Sequence, residues 1–367
     1  MLFSKLNMPM TTVSGKGEIF SLLSGTAAFG NGLIVHGSSL RKKPQFKQLT
    51  AAFKRKSYFY PYEGGEPTLE NVREVIEYAK RKKSLWIGGI GGGSVMDLAK
   101  AAAGLYKTSR DPEYYQNGGV VEKKGIPFVA VPTTAGSGAE ATINAVINNE
   151  KTNEKLSIRD DYFMADLIIL DPDLMIGITP TIVAQSGLDA ITQAIESFIS
   201  NGANWYTQNL ALKGFELLIH NIECLFDAAN QKEDSASYEK MLLGSYLTGI
   251  AFTNSRLGVI HGLAHSLGAI YKQPHGLVCA LCLVPALEIN KNSISEQYKK
   301  LSDIAGMDLI NRINLLIEKF EIQNVFKNLE LKDPKKMIAN TLASGSTKAN
   351  PKTITEEDVR SVLKRLF

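Results

Sequence analysis

The sequence predicts an α/β domain built on a parallel sheet, followed by an all-helical domain. Three observations lead there. Short apolar runs alternate with helix-length segments through the first half, and turn-forming residues close the C-terminal end of each run. From about Gly177 the strand-like runs give way to long helical patterns. At 367 residues the chain also has the length of two domains. We place the first at 1–176 and the second at 177–367, with the boundary near Leu174 to Thr179.

The elements follow in order. Leu33-Ile34-Val35 reads as a strand ending in Gly37-Ser38-Ser39, and Leu69 to Lys83 as a helix. Leu85-Trp86-Ile87 enters a glycine cluster, Phe128 to Val131 stops at Pro132, and Leu167 to Leu170 stops at Asp171-Pro172. Glu150 to Lys155 reads as a solvated hairpin tip. The second half offers helices over Pro180 to Ser200, Trp205 to Ala228, Tyr238 to Asn254 and Ser295 to Ala305.

Composition excludes several classes. Hydrophobic residues at 44% and charged residues at 21% describe a globular chain rather than a disordered one. A net charge of +4, from 41 basic against 37 acidic residues, argues against a nucleic-acid binder. The longest apolar run, Leu277 to Leu287, falls short of the roughly 18 residues a spanning helix needs. The N-terminus lacks the pattern of a secretory signal, and three cysteines fit a reducing compartment. A cytoplasmic enzyme that engages neither membrane nor nucleic acid is the expectation.

Ile87 to Ser94 (IGGIGGGS) follows a strand and precedes the helical run Val95 to Ala102. Glycines let the backbone approach an anion, and the helix N-terminus offers unpaired N–H groups and a positive dipole end. Ser94 stands where an N-cap would be, which suits a cap, a phosphate contact, or each in a different state. The G-x-G-x-x-G spacing is absent, so the turn is not the standard dinucleotide fingerprint, and tight packing is the plain alternative. Pro132 to Glu140 (PTTAGSGAE) also follows a strand. Its hydroxyls suit ribose or pyrophosphate contacts, or an ordinary connection in which Ser137 caps a helix.

Three of the five histidines are His261, His265 and His275. The first two are one helical turn apart and share a face, while His275 stands on a Pro-His-Gly turn. Asp189 lies in an apolar helix with Gln193 four residues on, and a carboxylate there is costly unless it is paired or metal-bound. Two imidazoles and a carboxylate form a common set for divalent Fe or Zn; three hydrogen-bonded histidines without metal are the alternative. Cys279-Ala280-Leu281-Cys282 sits in the apolar run and reads as a core helix segment rather than a metal or redox motif.

Together these motifs resemble the iron-containing (group III) alcohol dehydrogenase family of the dehydroquinate synthase-like superfamily. The resemblance runs through Gly15-x-Gly17, GGGSVMDLAK at 91–100, PTTAGSGAE at 132–140, Lys155, Asp171-Pro172, the Asp189 helix, HGLAHSLGA at 261–269, Pro274-His275-Gly276, Asn350-Pro351 and Thr355-x-x-Asp358-Val359. It implies a Rossmann-like first domain, a helical second domain and an active-site cleft between them. It also implies a homodimer.

The family's metal ligands fall on Asp189, Gln193, His261 and His275, and the extra histidine near the nicotinamide, a proton-relay candidate and the catalytic residue, falls on His265. Gly91, Gly92, Gly93 and Ser94 match the pyrophosphate loop, with Asp97 in the same motif. Thr133, Thr134 and Ser137 match the second cofactor loop, and Lys155 a lysine that reaches the cofactor.

The chain departs from the family twice. Gln193 replaces a histidine, and a neutral amide oxygen is the weaker ligand, so water or the amide fills that position and Fe(II) or Zn(II) binds less firmly. Related maleylacetate reductases offer a metal-independent alternative. Gly37 replaces the aspartate that grips the adenosine ribose in NAD-preferring relatives, and Ser38, Ser39, Arg41, Lys42 and Lys43 follow, so NADPH is expected ahead of NADH. The implied reaction is hydride transfer between NAD(P)H and a small aldehyde/alcohol pair, with the metal polarising the carbonyl. Arg256, shortly before His261, suits an anionic aldehyde, a helix C-terminus or a subunit contact. A dehydroquinate synthase-like lyase is the rival reaction class.

Overall fold

The computed structural model describes residues 5–53, 57–152, 154–231 and 236–367. They fall into two compact units. One comprises Asn7–Thr134 with Gly138–Ile176, and the other residues 5–6, Ala135–Ser137 and Gly177–Phe367. The segment at 135–137 thus belongs with the helices, where the Gly136 carbonyl accepts a 3.1 Å bond from Ser245 Oγ.

The first unit holds eight described strands: β1 (Thr12–Ser14), β2 (Gly32–Gly37), β3 (Ser57–Tyr62), β4 (Trp86–Gly91), β5 (Phe128–Pro132), β6 (Asn144–Asn149), β7 (Glu154–Arg159) and β8 (Leu167–Leu170). Its helices are α1 (Ser21–Gly25), α2 (Ser38–Arg41), α3 (Pro44–Phe53), α4 (Leu69–Arg81), α5 (Gly93–Leu105) and α6 (Pro112–Gln116). Six strands form one sheet in the order β1-β8-β5-β4-β2-β3, every pair parallel. The four runs expected as strands are all there, buried along nearly their whole length as strands covered on both faces should be. One face packs Ile34, Trp86, Val129 and Ile169 with Leu49 and Phe53 of α3. Helix α5 is apolar almost all round and buried, the mark of a central helix. Helix α4 opens with a Thr68–Asn71 capping box and ends at Arg81, two residues short of the expected Lys83, which takes a left-handed φ of 54°.

β6 and β7 form a separate antiparallel hairpin. Its tip falls within Glu150 to Lys155, where Asn153 lies outside the described residues. Lys155 itself lies on β7, its ammonium paired with Glu66.

Among the described residues the second unit contains helices only: α7 (Pro180–Ile199), α8 (Trp205–Gln231), α9 (Ser237–Ser255), α10 (Val259–Tyr271), α11 (His275–Asn290), α12 (Ser295–Ala305), α13 (Leu309–Lys319), α14 (Pro334–Ala343) and α15 (Glu356–Leu366), with short 3₁₀ turns. Helix α7 starts on the Thr179 N-cap with Pro180 in its first turn, and is buried along nearly all of its length from Val183 onward. The run His275–Ala305 is long and apolar enough by composition to cross a membrane. A 3₁₀ turn at Lys291–Ile294 separates its two helices, and 61% of its most apolar window is buried within the fold, as in a core helix.

Candidate active site

Two groups of sequence motifs gather, each within its own unit. In the sheet unit β5, β4 and β2 are neighbours in register, Gly91 opposite Pro132 and His36 opposite Ile90. The loops after these strands therefore leave one edge of the sheet side by side. They carry Thr133 and Thr134, Gly91 to Ser94, and Gly37 and Ser38. The chain proceeds from β2 outward to β3 and then returns to the other side of β2 to form β4. That reversal between β2 and β4 is the kind of place where open α/β sheets bind nucleotides.

The turn after β4 suits an anion. Gly92, not Ser94, is the N-cap of α5, and no side chain caps the helix. Ser94 lies in the first turn because the glycines bring the helix start forward. No acidic residue stands in that turn, so its N–H groups and dipole face no competing carboxylate. A Cβ placed on Gly92 would meet nothing closer than Thr134 Oγ1 at 3.4 Å, which leaves room above the turn. Thr133 is buried, and its N–H donates to the Gly91 carbonyl at 2.9 Å, tying the two loops together.

The other expected cofactor residues are more dispersed. Asp97 on α5 accepts from the Val146 N–H of the hairpin, and burial pushes its pKa up to about 6 against the pull of Lys100. Ser137 belongs to the helical unit, and the turn that follows it is a 3₁₀ turn whose N-cap is Gly138. Gly37 is the N-cap of α2, with Ser38 and Ser39 exposed. Of the cations that follow, Arg41 pairs with Glu63 and Lys43 donates to the Ile176 carbonyl, leaving Lys42 exposed.

In the helical unit Asp189, Gln193 and Glu196 lie on one face of α7 at i, i+4 and i+7. His261 and His265 lie a turn apart on α10, and His275 and Cys279 a turn apart on α11. His261 Nε2 is 3.5 Å and His275 Nε2 3.9 Å from Asp189 Oδ1. Cys279 Sγ is 3.6 Å from His275 Nε2 and 4.0 Å from His261 Nε2. One donor atom from each of Asp189, His261, His275 and Cys279 lies within 4.8 Å of all the others. The His265 ring stacks on His275 with centroids 5.2 Å apart and planes 16° from parallel. Gln193 Nε2 donates to Asp189 Oδ2 at 2.9 Å.

Close packing explains two glycines. A Cβ on Gly276 would lie 2.3 Å from the Gln185 carbonyl of α7, so only glycine lets α11 begin against the turn that carries Asp189. A Cβ on Gly258 would lie 2.6 Å from Glu196 Oε1. Glu196 receives the start of α10 there: its carboxylate accepts from Ile260 N at 2.7 Å and from His261 Nδ1 at 2.6 Å.

The electrostatics fit a bound cation. Burial raises the Asp189 pKa, but the neighbouring His261 and His275 rings bring it below the usual carboxylate value. Burial lowers the His261 pKa, and the acidic neighbours Cys279, Asp189 and Glu196 outweigh it, so the ring stands well above its ordinary value. Burial pushes the Cys279 thiol up to about 12. Asp189 Oδ1 and Gln193 Oε1 are buried without a hydrogen-bond partner. A buried carboxylate oxygen without a hydrogen-bond partner, 3.5 and 3.9 Å from two imidazole nitrogens, suits a metal ligand.

Sequence reasoning missed Glu196 and Cys279 as members of this site. Glu196 carried a signal, a carboxylate at i+7 from Asp189 in an apolar helix. Cys279 carried one in its four-residue spacing from His275. It is buried in a core helix, as expected, but its sulfur turns toward the histidines.

A nucleotide-type sheet edge and a buried carboxylate–imidazole–thiol cluster define a cofactor-dependent oxidoreductase with a metal-capable centre. Residues 9–172 match the family "Iron-containing alcohol dehydrogenase", and residues 183–367 match "Fe-containing alcohol dehydrogenase family, C-terminal". Alcohol dehydrogenase 4 of Saccharomyces cerevisiae is 31% identical over 312 residues, which are 82% of this chain and 81% of the yeast protein. The structure of an alcohol dehydrogenase from Oenococcus oeni superposes with a TM-score of 0.92 at 28% identity, over 99% of this chain and 100% of that one. Sulfoacetaldehyde reductase from Bifidobacterium kashiwanohense, solved with NAD+, superposes with a TM-score of 0.90 at 25% identity, over 100% and 99% of the two chains.

The chain belongs to the iron-containing alcohol dehydrogenase family. It is an NAD(P)-dependent oxidoreductase of small alcohols and aldehydes.

Proposed function

We propose that the chain reduces a small anionic aldehyde to its primary alcohol with NADPH, using a divalent metal held by Asp189, His261 and His275. The observation that carries this reading is the convergence of those three side chains, from three helices, on one buried point. A divalent cation held there would supply Lewis acidity toward a carbonyl oxygen, and a bound nicotinamide would supply the hydride.

The residues divide the remaining work. Gly91, Gly92, Gly93 and Ser94 receive the pyrophosphate on the uncapped start of α5. Thr133, Thr134 and Ser137 contribute hydroxyls to the cofactor, and Lys155 with Asp97 flanks it from the hairpin side. Gly37 and Ser38 meet the adenosine ribose. With no carboxylate at Gly37, exposed hydroxyls at Ser38 and Ser39 and a cation at Lys42, a 2′-phosphate is accepted. His265, stacked on His275, relays the proton to the product alkoxide. Arg256, exposed and with a positive φ of 68° at the end of α9, attracts the anionic group. The same reading makes the protein a cytoplasmic homodimer.

The test is oxidation of NADPH and of NADH by protein purified without oxygen, across neutral and anionic aldehydes, before chelation, after it and after adding Fe(II) or Zn(II). Turnover is expected with anionic aldehydes and NADPH, to vanish on chelation, and to return with one metal. Turnover untouched by chelation would make this a metal-free reductase and leave Asp189, His261 and His275 with hydrogen-bonding roles.

A further inference from the structure

We propose that Cys279 Sγ joins Asp189, His261 and His275 as the fourth protein ligand of the metal, and that the resulting site selects zinc over ferrous iron. The inference rests on the metal-dependent reading above and names the donor that completes its site.

The first argument is geometric. Bonds of about 2.0–2.1 Å to nitrogen and oxygen and about 2.3 Å to sulfur, at tetrahedral angles, put neighbouring donors about 3.3–3.6 Å apart. The Sγ to His275 Nε2 distance is 3.6 Å, the Sγ to His261 Nε2 distance 4.0 Å, and the two nitrogens lie 3.5 and 3.9 Å from Asp189 Oδ1. Four of the six separations thus approach those of such a tetrahedron, and all six lie within 4.8 Å. Small side-chain movements bring them to bonding distance.

The second argument concerns Gln193. Its Nε2 donates to Asp189 Oδ2, and the carboxylate fixes that orientation, since turning the amide over would set its oxygen against another acceptor. Gln193 therefore holds one oxygen of Asp189 and leaves the other, Oδ1, free to face the histidines. Oδ1 is buried without a hydrogen-bond partner, on a residue only 4% exposed, which points to a ligand independently of the cysteine. Loss of the family's imidazole at Gln193 is thus made up from α11, one helical turn after His275. Binding releases the thiol proton to bulk water as the sulfur–metal bond forms. A thiolate joined to two imidazoles and a carboxylate favours zinc, which takes soft and borderline donors in four-coordinate geometry.

The experiment strips the full-length protein with a chelator and reloads it with Co(II) without oxygen, because cobalt reports its ligands spectroscopically. Wild type should show an intense near-ultraviolet thiolate-to-cobalt charge-transfer band. Cys279→Ser should bind Co(II) without that band and bind Zn(II) at least tenfold more weakly. Gln193→Ala and Cys282→Ser should keep the band. When Zn(II) and Fe(II) compete at equal concentration, wild type should retain zinc. Wild type that binds Co(II) with no charge-transfer band overturns the sulfur ligand while leaving a metal-dependent enzyme. Failure to bind either Co(II) or Zn(II) overturns both readings. The wild-type spectrum decides the question even if the serine variant does not fold.

Discussion

Glu196 Oε2 lies 2.6 Å from His261 Nδ1, so the ring nitrogen facing away from Asp189 is held by a buried carboxylate. The same carboxylate accepts from the backbone at the start of α10, through Ile260 N at 2.7 Å. One side chain of α7 thereby sets both where α10 begins and how its first histidine is turned. Carboxylate partners of this kind fix the tautomer of a metal-binding histidine and raise its basicity.

Replacing Glu196 with Gln keeps the shape and removes the charge. Metal affinity, measured by competition with a chromogenic chelator, is expected to fall roughly 10- to 100-fold. Circular dichroism would check that the helical content is kept. Unchanged affinity would mean that the His261 ring is oriented by packing alone.

Cofactor choice is tested at Gly37. Its φ of −74° is open to any residue, and an added Cβ would meet Val95 Cγ2 at an ordinary 3.5 Å, so Gly37→Asp introduces a carboxylate without backbone strain. The ratio of kcat/KM for NADPH to that for NADH should fall by about 10- to 100-fold, the cost of placing a like charge against a 2′-phosphate. An unmoved ratio would place the adenosine ribose elsewhere.

A buried charge group in the sheet unit predicts a pH dependence of stability. Lys100 Nζ donates to Ala139 O, Thr142 Oγ1 and Asn144 O, and burial lowers its pKa to about 8 despite Asp97 and Glu140. Burial raises Glu140 from 4.5 to about 7, with its own backbone N–H and Lys100 opposing. Between those values the folded chain holds a proton that the unfolded chain has released. This group's contribution is therefore fully present below pH 4.5 and is lost as the pH rises through about 7. Glu140→Gln should flatten that part of the profile and be more stable than wild type above pH 7, by on the order of 1–3 kcal/mol. Urea denaturation across the window would measure it, and parallel profiles would show that Glu140 ionises normally.

Much of the fold was legible in the residues. Parallel strands buried on both faces are written as short apolar runs, and β2, β4, β5 and β8 were read that way. β1, with three residues, is too short to stand out, and β3, an edge strand with Pro61 and partly exposed aromatics, carries neither a clean alternation nor an unbroken apolar run. Ser94 is not the N-cap because Gly92, two residues earlier, takes that position and the helix starts at Gly93. Cys279 was read by its apolar neighbours. The direction of its sulfur depends on how α11 turns against α7 and α10, which local pattern does not carry.

The sequence by itself determined which chemistry was available: a glycine turn after a strand, an aspartate in an apolar helix, and histidines at helical spacing. Periodicity and turn residues act over a few positions, so they can be read from one stretch of chain. Tertiary structure alone decided which of those groups meet. The approach of α11 to α7 at Gly276 and the seating of α10 on Glu196 bring Asp189, His261, His275 and Cys279 together across 90 residues of sequence. Packing between helices sets those distances, and it turns the Gln193 amide toward Asp189 and the Cys279 sulfur toward the histidines.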